Sequence, residues 1–461
     1  MLFIFCTFAD KVIMQSLFHN MALIKLRKGF DLNLKGKITS ENVLEATKSD
    51  TYAIVPDDFT GIVPRMEKKE GEKVAAGEAL YHDKNDEKIK VTSPVSGTVK
   101  QVVRGDRRKI MAVVIEPDNE GRFVTFDTRE NPKALLLESG LWPLLRQRPY
   151  DIVPGSETRP RDIFITAFDS APLAPSLKLI LGKDEKYLSK AIEVLSTMTD
   201  GKVYLGCSPA DPLTDTGAET NTFSGPHPAG NAGVQIANVK PVNKGEVVWT
   251  LDVVTAARIG KLFEIGKMDY STIVAVNGPG VASPAYIKAT MGCTLHSLLD
   301  GRLNDDKPLR IIGGNVLTGV KESIEGFLRA PYRHVTVINE INKKDEFMGW
   351  ASLSPKKYSI YRLFTSGIFG RHKEVDLDAK LNGGERAIVL SGEYDNMLPM
   401  DIYAEFLIKA IIAFDIDKME QMGIYEVAPE DFALAEYADT SKLELQRIVR
   451  EGLDRMRAEM S

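Results

Sequence analysis

The first hundred residues are dominated by short β-like segments that glycine, proline and aspartate turns interrupt. The segments lie at residues 24–26, 52–55, 88–91, 97–103 and 110–115. Short strands at such spacing are typical of a small sandwich or barrel. This part of the chain is therefore predicted to be β-rich and not a helical bundle.

Glycines in this region fall at turns between alternating strands. Residues 70–80 (EGEKVAAGEAL) and 93–99 (SPVSGTV) carry them, as the turns of β-hairpins require. This arrangement resembles the biotinyl/lipoyl hammerhead. We predict a biotinyl/lipoyl-like β domain over residues 21–124.

The middle of the chain alternates strand-like and helix-like stretches. Residues 162–167 and 202–205 read as buried strands, and residues 184–197 have helical periodicity. Such a βαβ order favours a parallel sheet. We predict a Rossmann-like α/β domain over 125–265. Residues 266–345, with one helix at 286–299, are predicted to form a β-grasp (SLBB-like) domain.

The last segment, 346–461, is predicted to be a linker and a C-terminal helical domain. Asp401, Glu405 and Lys409 recur every four residues and predict a polar stripe with a Glu405–Lys409 pair. Ser441 and Glu444 predict a capping box before the last helix. The whole is thus an α/β multidomain chain.

Composition narrows the classes of function. The chain has 461 residues, enough for about three domains, and its net charge of −5 disfavours a nucleic-acid partner. No apolar run reaches the length of about 20 residues that a membrane helix needs, so any membrane role is predicted to be peripheral. Cys6, Cys207 and Cys293 are too few and too dispersed for a disulfide framework or a cysteine-held metal site.

The first 20 residues are apolar at their start but lack a basic region and a convincing cleavage site, which argues against a signal peptide. Met21 opens a sequence more typical of a start. We expect residues 1–20 to be an extension or a misplaced start, and we exclude them from the fold prediction.

Lys84 follows a hammerhead-like strand, where lipoyl domains carry their modified lysine. The stretch from Asp83 to Pro94 is longer than in such a domain, and no Met-Lys-Met of a biotin site occurs. We favour an unmodified hairpin, with a lipoyl or biotin carrier as the alternative.

Residues 277–283 (NGPGVAS) superficially match a dinucleotide-binding loop. Ser283 replaces the third glycine, and Asp300 follows a predicted helix instead of a strand. A plain turn is favoured. No phosphate-binding P-loop motif occurs, and no histidine has metal-ligand spacing.

His227 lies in a loop that prolines and glycines fix, residues 224–230 (SGPHPAG). A structural role is favoured over Ser–His–Asp chemistry, because no G-x-S-x-G elbow occurs.

A basic group lies near residues 100–109, where a solvated hairpin tip is favoured over a membrane or acidic-partner contact. It comprises Lys100, Arg104, Arg107, Arg108 and Lys109.

Taken together, six stretches resemble the NqrA family, a component of the bacterial sodium-translocating NADH:quinone oxidoreductase (Na+-NQR), from about residue 23 to the end. They are residues 27–32 (RKGFDL), 92–97 (TSPVSG), 138–142 (ESGLW), 148–149 (RP), 223–230 (FSGPHPAG) and 398–401 (LPMD). That family is similar to the RnfC component of the Rnf complex and to the NADH-binding subunit of complex I.

The resemblance also implies what this chain lacks. In those relatives a glycine-rich loop after Ser-Gly holds the flavin, but here Ser139 and Gly140 are followed by residues 141–146 (LWPLLR). The Rnf relative carries a C-x2-C-x2-C-x3-C-P frame for iron–sulfur clusters. Aligned on residues 398–399, that frame falls on positions without a thiol: Ile388, Ser391, Tyr394 and Leu398. We therefore expect no redox cofactor on this chain, while the complex uses NADH, flavins, iron centres and quinone.

The family's segments proposed to lie near quinone match residues 55–62 and 145–152. Phe59 and Tyr150 would offer ring surface, and Arg146 or Arg148 a hydrogen-bond donor to a quinone carbonyl. A contact between domains or subunits suits these residue types equally well. Which quinone is used, and whether it touches this chain in turnover, stay open at this point.

The resemblance implies a peripheral protein on the cytoplasmic side of the bacterial inner membrane, docked on the membrane subunits of the complex. That complex is a respiratory-chain translocase: it oxidises NADH, reduces ubiquinone and exports sodium. The chain alone is expected to be non-catalytic and to provide assembly and quinone access. The alternatives are a carrier modified on Lys84 and a self-contained NADH or flavin dehydrogenase.

Overall fold

The computed structural model describes residues 22–118, 120–304, 306–340, 360, 374–381 and 384–460. The predicted extension over residues 1–20, with Cys6, and most of the predicted linker lie outside them. The strands of the first half are β1 (Ala22–Lys25), β2 (Val43–Glu45), β3 (Tyr52–Ile54), β4 (Pro64–Met66), β5 (Lys73–Val74), β6 (Ala79–Asp83), β7 (Lys90–Thr92), β8 (Gly97–Arg104), β9 (Ile110–Pro117) and β10 (Arg146–Arg148). The later strands are β11 (Asp162–Thr166), β12 (Val203–Cys207), β13 (Glu219–Ser224), β14 (Val248–Asp252), β15 (Ser271–Asn277), β16 (Ala285–Thr290), β17 (Leu309–Gly313), β18 (Val320–Glu322) and β19 (His334–Asn339).

Helices are concentrated in the second half of the chain. They are α1 (Pro132–Ser139), α2 (Leu177–Leu181), α3 (Leu188–Ser196), α4 (Ala232–Val239), α5 (Val253–Ile265), α6 (Leu295–Leu299), α7 (Glu393–Met397), α8 (Ala404–Ala413), α9 (Ile416–Gln421), α10 (Ala433–Ala438) and α11 (Leu445–Met460).

Two small sheets form the first β unit. Their strand orders are β3-β9-β8-β5 and β4-β6-β7, and alternate residues such as Val74, Leu80 and Val113 fill the space between them. The predicted sandwich is confirmed for these strands. Four of the basic residues lie at the tip of the β8–β9 hairpin, as predicted: Arg104, Arg107, Arg108 and Lys109, which pairs with Asp57 at 2.8 Å. Lys100 lies within β8 instead.

The α/β unit is a six-stranded sheet in the order β1-β13-β12-β11-β14-β10, parallel except for β10. Alternate residues of β11 face opposite sides: Ile163 joins the core beneath α3 and α5, and Phe164 packs with α4. The predicted strands and helix of this region are confirmed. The assignment of residues 24–26 to the first β unit was wrong, because β1 pairs with β13 at the edge of this sheet.

The third sheet has the order β18-β17-β19-β15-β16-β2. The helix predicted over residues 286–299 was wrong in its first half. Residues 285–290 pair antiparallel with β15, and the turn at Gly292, with a φ of +80°, separates them from α6. Strand β2, from the region predicted as hammerhead, closes one edge of this sheet.

The C-terminal helices enclose their own core, which includes Leu407, Ile411 and Val449. The predicted polar stripe was wrong at Glu405, which is buried and accepts hydrogen bonds from the backbone N–H groups of Ser391 and Glu393. The capping box was wrong as well. The Ser441 hydroxyl donates to the Ala387 carbonyl at 3.1 Å, and α11 begins at Leu445.

Candidate functional site

Residues 55–62 and 145–152, which are far apart in the sequence, meet where the first β unit contacts the α/β sheet. Arg146, on the edge strand β10, donates through Nη2 to the Asp58 carbonyl oxygen. The Val153 N–H donates to the Thr60 carbonyl at 2.8 Å. Phe59 is buried in the core that the two units share. The structure thus brings Phe59 and Arg146 to the same contact between the two units.

The buried carboxylate of Asp58 connects the third sheet to this contact between the first β unit and the α/β sheet. Asp58 pairs with Arg329 Nε and accepts from the Ala330 N–H at 3.0 Å. Burial raises the pKa of Asp58, and the charge of Arg329 opposes that rise. Sequence reasoning missed this pair, because the two residues lie 271 positions apart and no local pattern links them.

Polar groups without a protein partner surround Asp58. Within the described residues, the Tyr81 hydroxyl, Arg146 Nη1 and the Tyr332 hydroxyl are buried and make no hydrogen bond. The pKa of Tyr81 and that of Tyr332 are both raised, first by burial, and the charge of Asp58 contributes to each rise. Unpaired buried donors cost about 1–3 kcal/mol each. We call Asp58, Phe59, Tyr81, Arg146 and Tyr332 the junction site.

Arg148, the alternative donor to Arg146, does not belong to the junction site. Its side chain is 1% exposed and binds Asp431 at 2.7 Å and Glu430 at 2.9 Å. Burial opposes its charge, but Asp431 and Glu430 outweigh that effect and raise the pKa of Arg148. This ion cluster fastens β10 to the C-terminal helices.

Tyr150 also faces the C-terminal helices. Its side chain packs against their core, and its carbonyl accepts from Arg450 Nη2 at 2.7 Å. Burial is the main cause of its raised pKa. The residues predicted to contact quinone are therefore divided between two neighbouring interfaces, with Phe59 and Arg146 at one and Tyr150 at the other.

His227 has the structural contacts that the sequence favoured. It is 3% exposed, its N–H donates to Asp31 Oδ1 at 2.8 Å, and its Nδ1 lies 3.1 Å from Ser170 Oγ. Burial lowers its pKa and keeps the ring neutral. The Phe30 N–H donates to the His227 carbonyl, and the Gly29 N–H to the Asn396 carbonyl, both at 2.8 Å. Motifs 27–32 and 223–230 are thus in direct contact.

The remaining predicted motifs lie in turns. Lys84 is exposed at the end of β6, and its N–H donates to the Val63 carbonyl at 2.7 Å. Gly278, with a φ of +103°, packs directly on the backbone of Val337, which fits a plain turn.

Cys207 and Cys293 are buried free thiols. In the part of the chain that the structure describes, no group of three or more His, Cys, Asp or Glu residues is arranged to hold a metal ion.

Family models match three stretches of the chain. Residues 24–118 match the NqrA N-terminal barrel-sandwich hybrid domain, residues 127–268 the NqrA second alpha/beta domain, and residues 273–323 the NQRA C-terminal domain. The chain is 34% identical over 451 residues to the NqrA component of the Na(+)-translocating NADH-quinone reductase of Photorhabdus laumondii. The match covers 95% of this chain and 100% of that relative.

The chain belongs to the NqrA family of the Na(+)-translocating NADH-quinone reductase. The NqrA proteins of Yersinia pestis and Vibrio anguillarum are 34% and 33% identical over 452 residues, each match covering 95% of this chain and 100% of the relative. Among solved structures, an NAD+-reducing [NiFe]-hydrogenase in the H2-reduced state matches with a TM-score of 0.37 and 12% identity. That match covers 72% of this chain and 62% of the hydrogenase chain.

In this member of the NqrA family, bulky side chains fill the segment after Ser139 and Gly140. Leu141 and Trp142 are fully buried, and Trp142 Nε1 donates to the Pro154 carbonyl at 2.7 Å. The Trp142 ring meets that of Trp249 edge-on at 5.0 Å. Within the described residues, no helix has the length and apolar character to cross a bilayer.

Proposed function

We propose that this chain is the NqrA component of a Na+-translocating NADH-quinone reductase complex, where it provides assembly and quinone access without a redox cofactor of its own. The observation that carries the proposal is the identity of 34% over 95% of the chain to relatives of that family. The proposed partners are the other components of the complex, chiefly the membrane subunits. The proposed location is the cytoplasmic side of the bacterial inner membrane.

The packing after Ser139 supports the absence of a bound flavin. A phosphate at such a loop needs close approach to backbone N–H groups, which glycines permit. Gly140 is already in contact with Thr92, and Leu141 and Trp142 occupy the interior behind it. The loop therefore serves as a packed joint between α1 and β10.

The packing of the C-terminal helices likewise supports the absence of iron–sulfur clusters. Two of the four positions that align with cluster cysteines, Tyr394 and Leu398, are buried in the helical core. Their apolar contacts stabilise the helices at positions that would hold a cluster in the Rnf relative. None of the four positions supplies a thiolate to ligate iron.

The junction site supports the quinone part of the proposal. A quinone head group needs an apolar slot and donors to its two carbonyl oxygens. Phe59 supplies ring surface, while Arg146 Nη1 and the Tyr81 hydroxyl are buried donors that no protein acceptor satisfies. Tyr150 would line the neighbouring interface, and Arg148 takes no part because Asp431 and Glu430 hold it.

We further propose the finer fold names. The mainly parallel sheet with helices on both faces suits a Rossmann-like domain over residues 125–265, and the third sheet suits a β-grasp (SLBB-like) domain over residues 266–345. The first β unit would extend to residue 124, with β1 and β2 exchanged into the other two sheets, and the C-terminal domain would occupy residues 346–461.

Affinity purification of the full chain from solubilised membranes tests its place in the complex. The chain, tagged and expressed with the rest of the complex, is expected to be recovered with membrane-embedded subunits in fixed ratio. Recovery of the chain alone, under conditions that keep the remaining complex intact, would contradict the proposal. A mass addition on Lys84 in the same sample would instead support the carrier alternative.

Photolabelling of the assembled complex with a photoreactive ubiquinone analogue tests the junction site. We expect labelled peptides from residues 55–62 and 145–152, and a loss of labelling of about tenfold in Arg146→Gln, since a buried charged donor is lost. Arg159→Gln is the matched control, because Arg159 is exposed and pairs with Asp200. Equal labelling of the two variants would contradict a role for Arg146.

A further inference from the structure

Two buried arginines lie side by side where the α/β sheet meets the third sheet. Arg258, on α5, is 5% exposed, and Arg333, just before β19, is 9% exposed. Arg333 Nη2 pairs with Asp252 at 2.7 Å, and Arg258 Nη2 donates to the Ser271 carbonyl at 2.9 Å. Because Asp252 caps α5, the pair is anchored at the first turns of that helix.

The charges of this pair are not balanced. Within the described residues, Asp252 is the one carboxylate in ion-pair contact with either guanidinium. Asp269 is near, but Lys261 takes its carboxylate at 2.6 Å. Guanidinium groups stay protonated in proteins, so two buried positive charges face a single negative one.

Hydrogen bonding is incomplete at the same point. In the part of the chain that the structure describes, Arg258 Nη1 and Arg333 Nε are buried without a partner. Burial and then the charge of Arg333 lower the pKa of Arg258 to about 10, which is the response of a guanidinium that lacks an anion. Arg148, which has two carboxylates, responds in the opposite direction.

Solvent reaches one edge of this position, which favours a negative group. The arginine pair lies beside Asp252, which ends the parallel strand β14 and caps the 13-residue helix α5. Ligands of α/β sheets bind at the carboxyl ends of the strands, and a helix N-terminus attracts negative charge. The Asp252 side chain is 26% exposed, so solvent reaches the edge of the cluster.

We propose that Arg258 and Arg333 form a binding site for a phosphate group. Its oxygens would accept from Arg258 Nη1 and Arg333 Nε and supply the missing negative charge. Guanidinium forks match phosphate geometry. The phosphate comes either as the free ion or on a nucleotide, and the site is separate from the junction site.

Thermal unfolding of the full chain tests the site. Inorganic phosphate and ADP are titrated separately into chloride buffer at constant ionic strength, since a ligand that binds only the folded state raises the unfolding temperature. We expect a saturating rise with phosphate or with ADP, and the responding compound identifies the source. Arg258→Gln should weaken the apparent affinity by at least about tenfold.

Two further variants keep the test decisive. Arg447→Gln is the matched control, because Arg447 is exposed and pairs with Glu444 and Glu451; it should respond like the unmodified chain. Arg333→Lys, which keeps the charge but loses the fork, covers the case in which Arg258→Gln does not fold, and it too should bind more weakly. A rise that does not saturate, is absent, or is equal in all variants would overturn the proposal.

Discussion

Arg148 and Arg258 are both buried arginines at contacts between domains, but their surroundings differ. Arg148 binds two carboxylates, on Asp431 and Glu430, whereas Arg258 has a second arginine beside it and shares one carboxylate with that neighbour. A buried charge is tolerated only when it is paired and hydrogen-bonded. In charge the first cluster is complete, since two carboxylates face one guanidinium, and the second is incomplete; in the described residues Arg148 Nε and Asp431 Oδ1 also lack a hydrogen-bond partner.

The largest expected effect comes from breaking the complete cluster. Asp431→Asn leaves Arg148 buried without its closest charge partner, and we expect a loss of about 3–5 kcal/mol in the free energy of unfolding. Urea denaturation of the full chain measures it. Asp454→Asn is the control, because Asp454 is exposed and pairs with Arg450 on α11. Equal stabilities would show that the Arg148 cluster does not fasten the helices.

Breaking the incomplete cluster should have a smaller effect. Asp252→Asn removes the shared carboxylate but keeps a residue that caps α5. Because solvent reaches Asp252, we expect a loss of about 2–3 kcal/mol in chloride, part of which saturating phosphate should restore. The same denaturation series in the two buffers measures this. If saturating phosphate restored none of the lost free energy of unfolding, the proposed lack of an anion at the Arg258 cluster would be contradicted.

The free energy of unfolding should depend on pH through Glu426, which lies near the complete cluster. Burial, and then Asp401, raise the pKa of Glu426 to about 7, while its backbone carbonyl accepts from Arg148. In the folded chain Glu426 keeps a proton that the unfolded chain loses at an ordinary pKa, so stability falls as pH rises from about 4.5 to 7. Glu426→Gln should reduce this fall by about 1–2 kcal/mol. Parallel curves for the two proteins would contradict it.

The smallest effect is expected at an exposed arginine. Arg447 contacts Glu444 and Glu451, with all three side chains exposed. Exposed ion pairs contribute little, so Arg447→Ala should change the free energy of unfolding by less than about 0.5 kcal/mol. Denaturation at low and high salt measures it. A loss comparable to that of Asp431→Asn would show that burial does not set the ranking.

Local patterns predicted the elements that local forces determine. Residues 163–165 and 203–205 are apolar and became central parallel strands, and the helical periodicity near residues 188–196 was sufficient to predict α3. The error at residues 286–299 arose because a short apolar run suits a strand and a helix equally. Pairing with β15 decided it.

Long-range pairing could not be predicted from the sequence. Strands β1 and β2 each pair with a strand more than 190 positions later in the sequence, and Asp58 pairs with Arg329 across 271 positions. Phe59 and Arg146 were predicted through the family resemblance, while Tyr81 and Tyr332 became visible only once the domains were assembled. Glu405 was misassigned because buried backbone N–H groups can hold a carboxylate inside a core.

We propose that this member of the NqrA family holds no redox centre of its own. Flavin and iron analysis of the full chain, purified without its partners and recorded with its visible absorbance spectrum, tests it most directly. The predicted result is a colourless protein with flavin and iron far below one per chain. Flavin or iron retained in a one-to-one ratio through purification would contradict the claim.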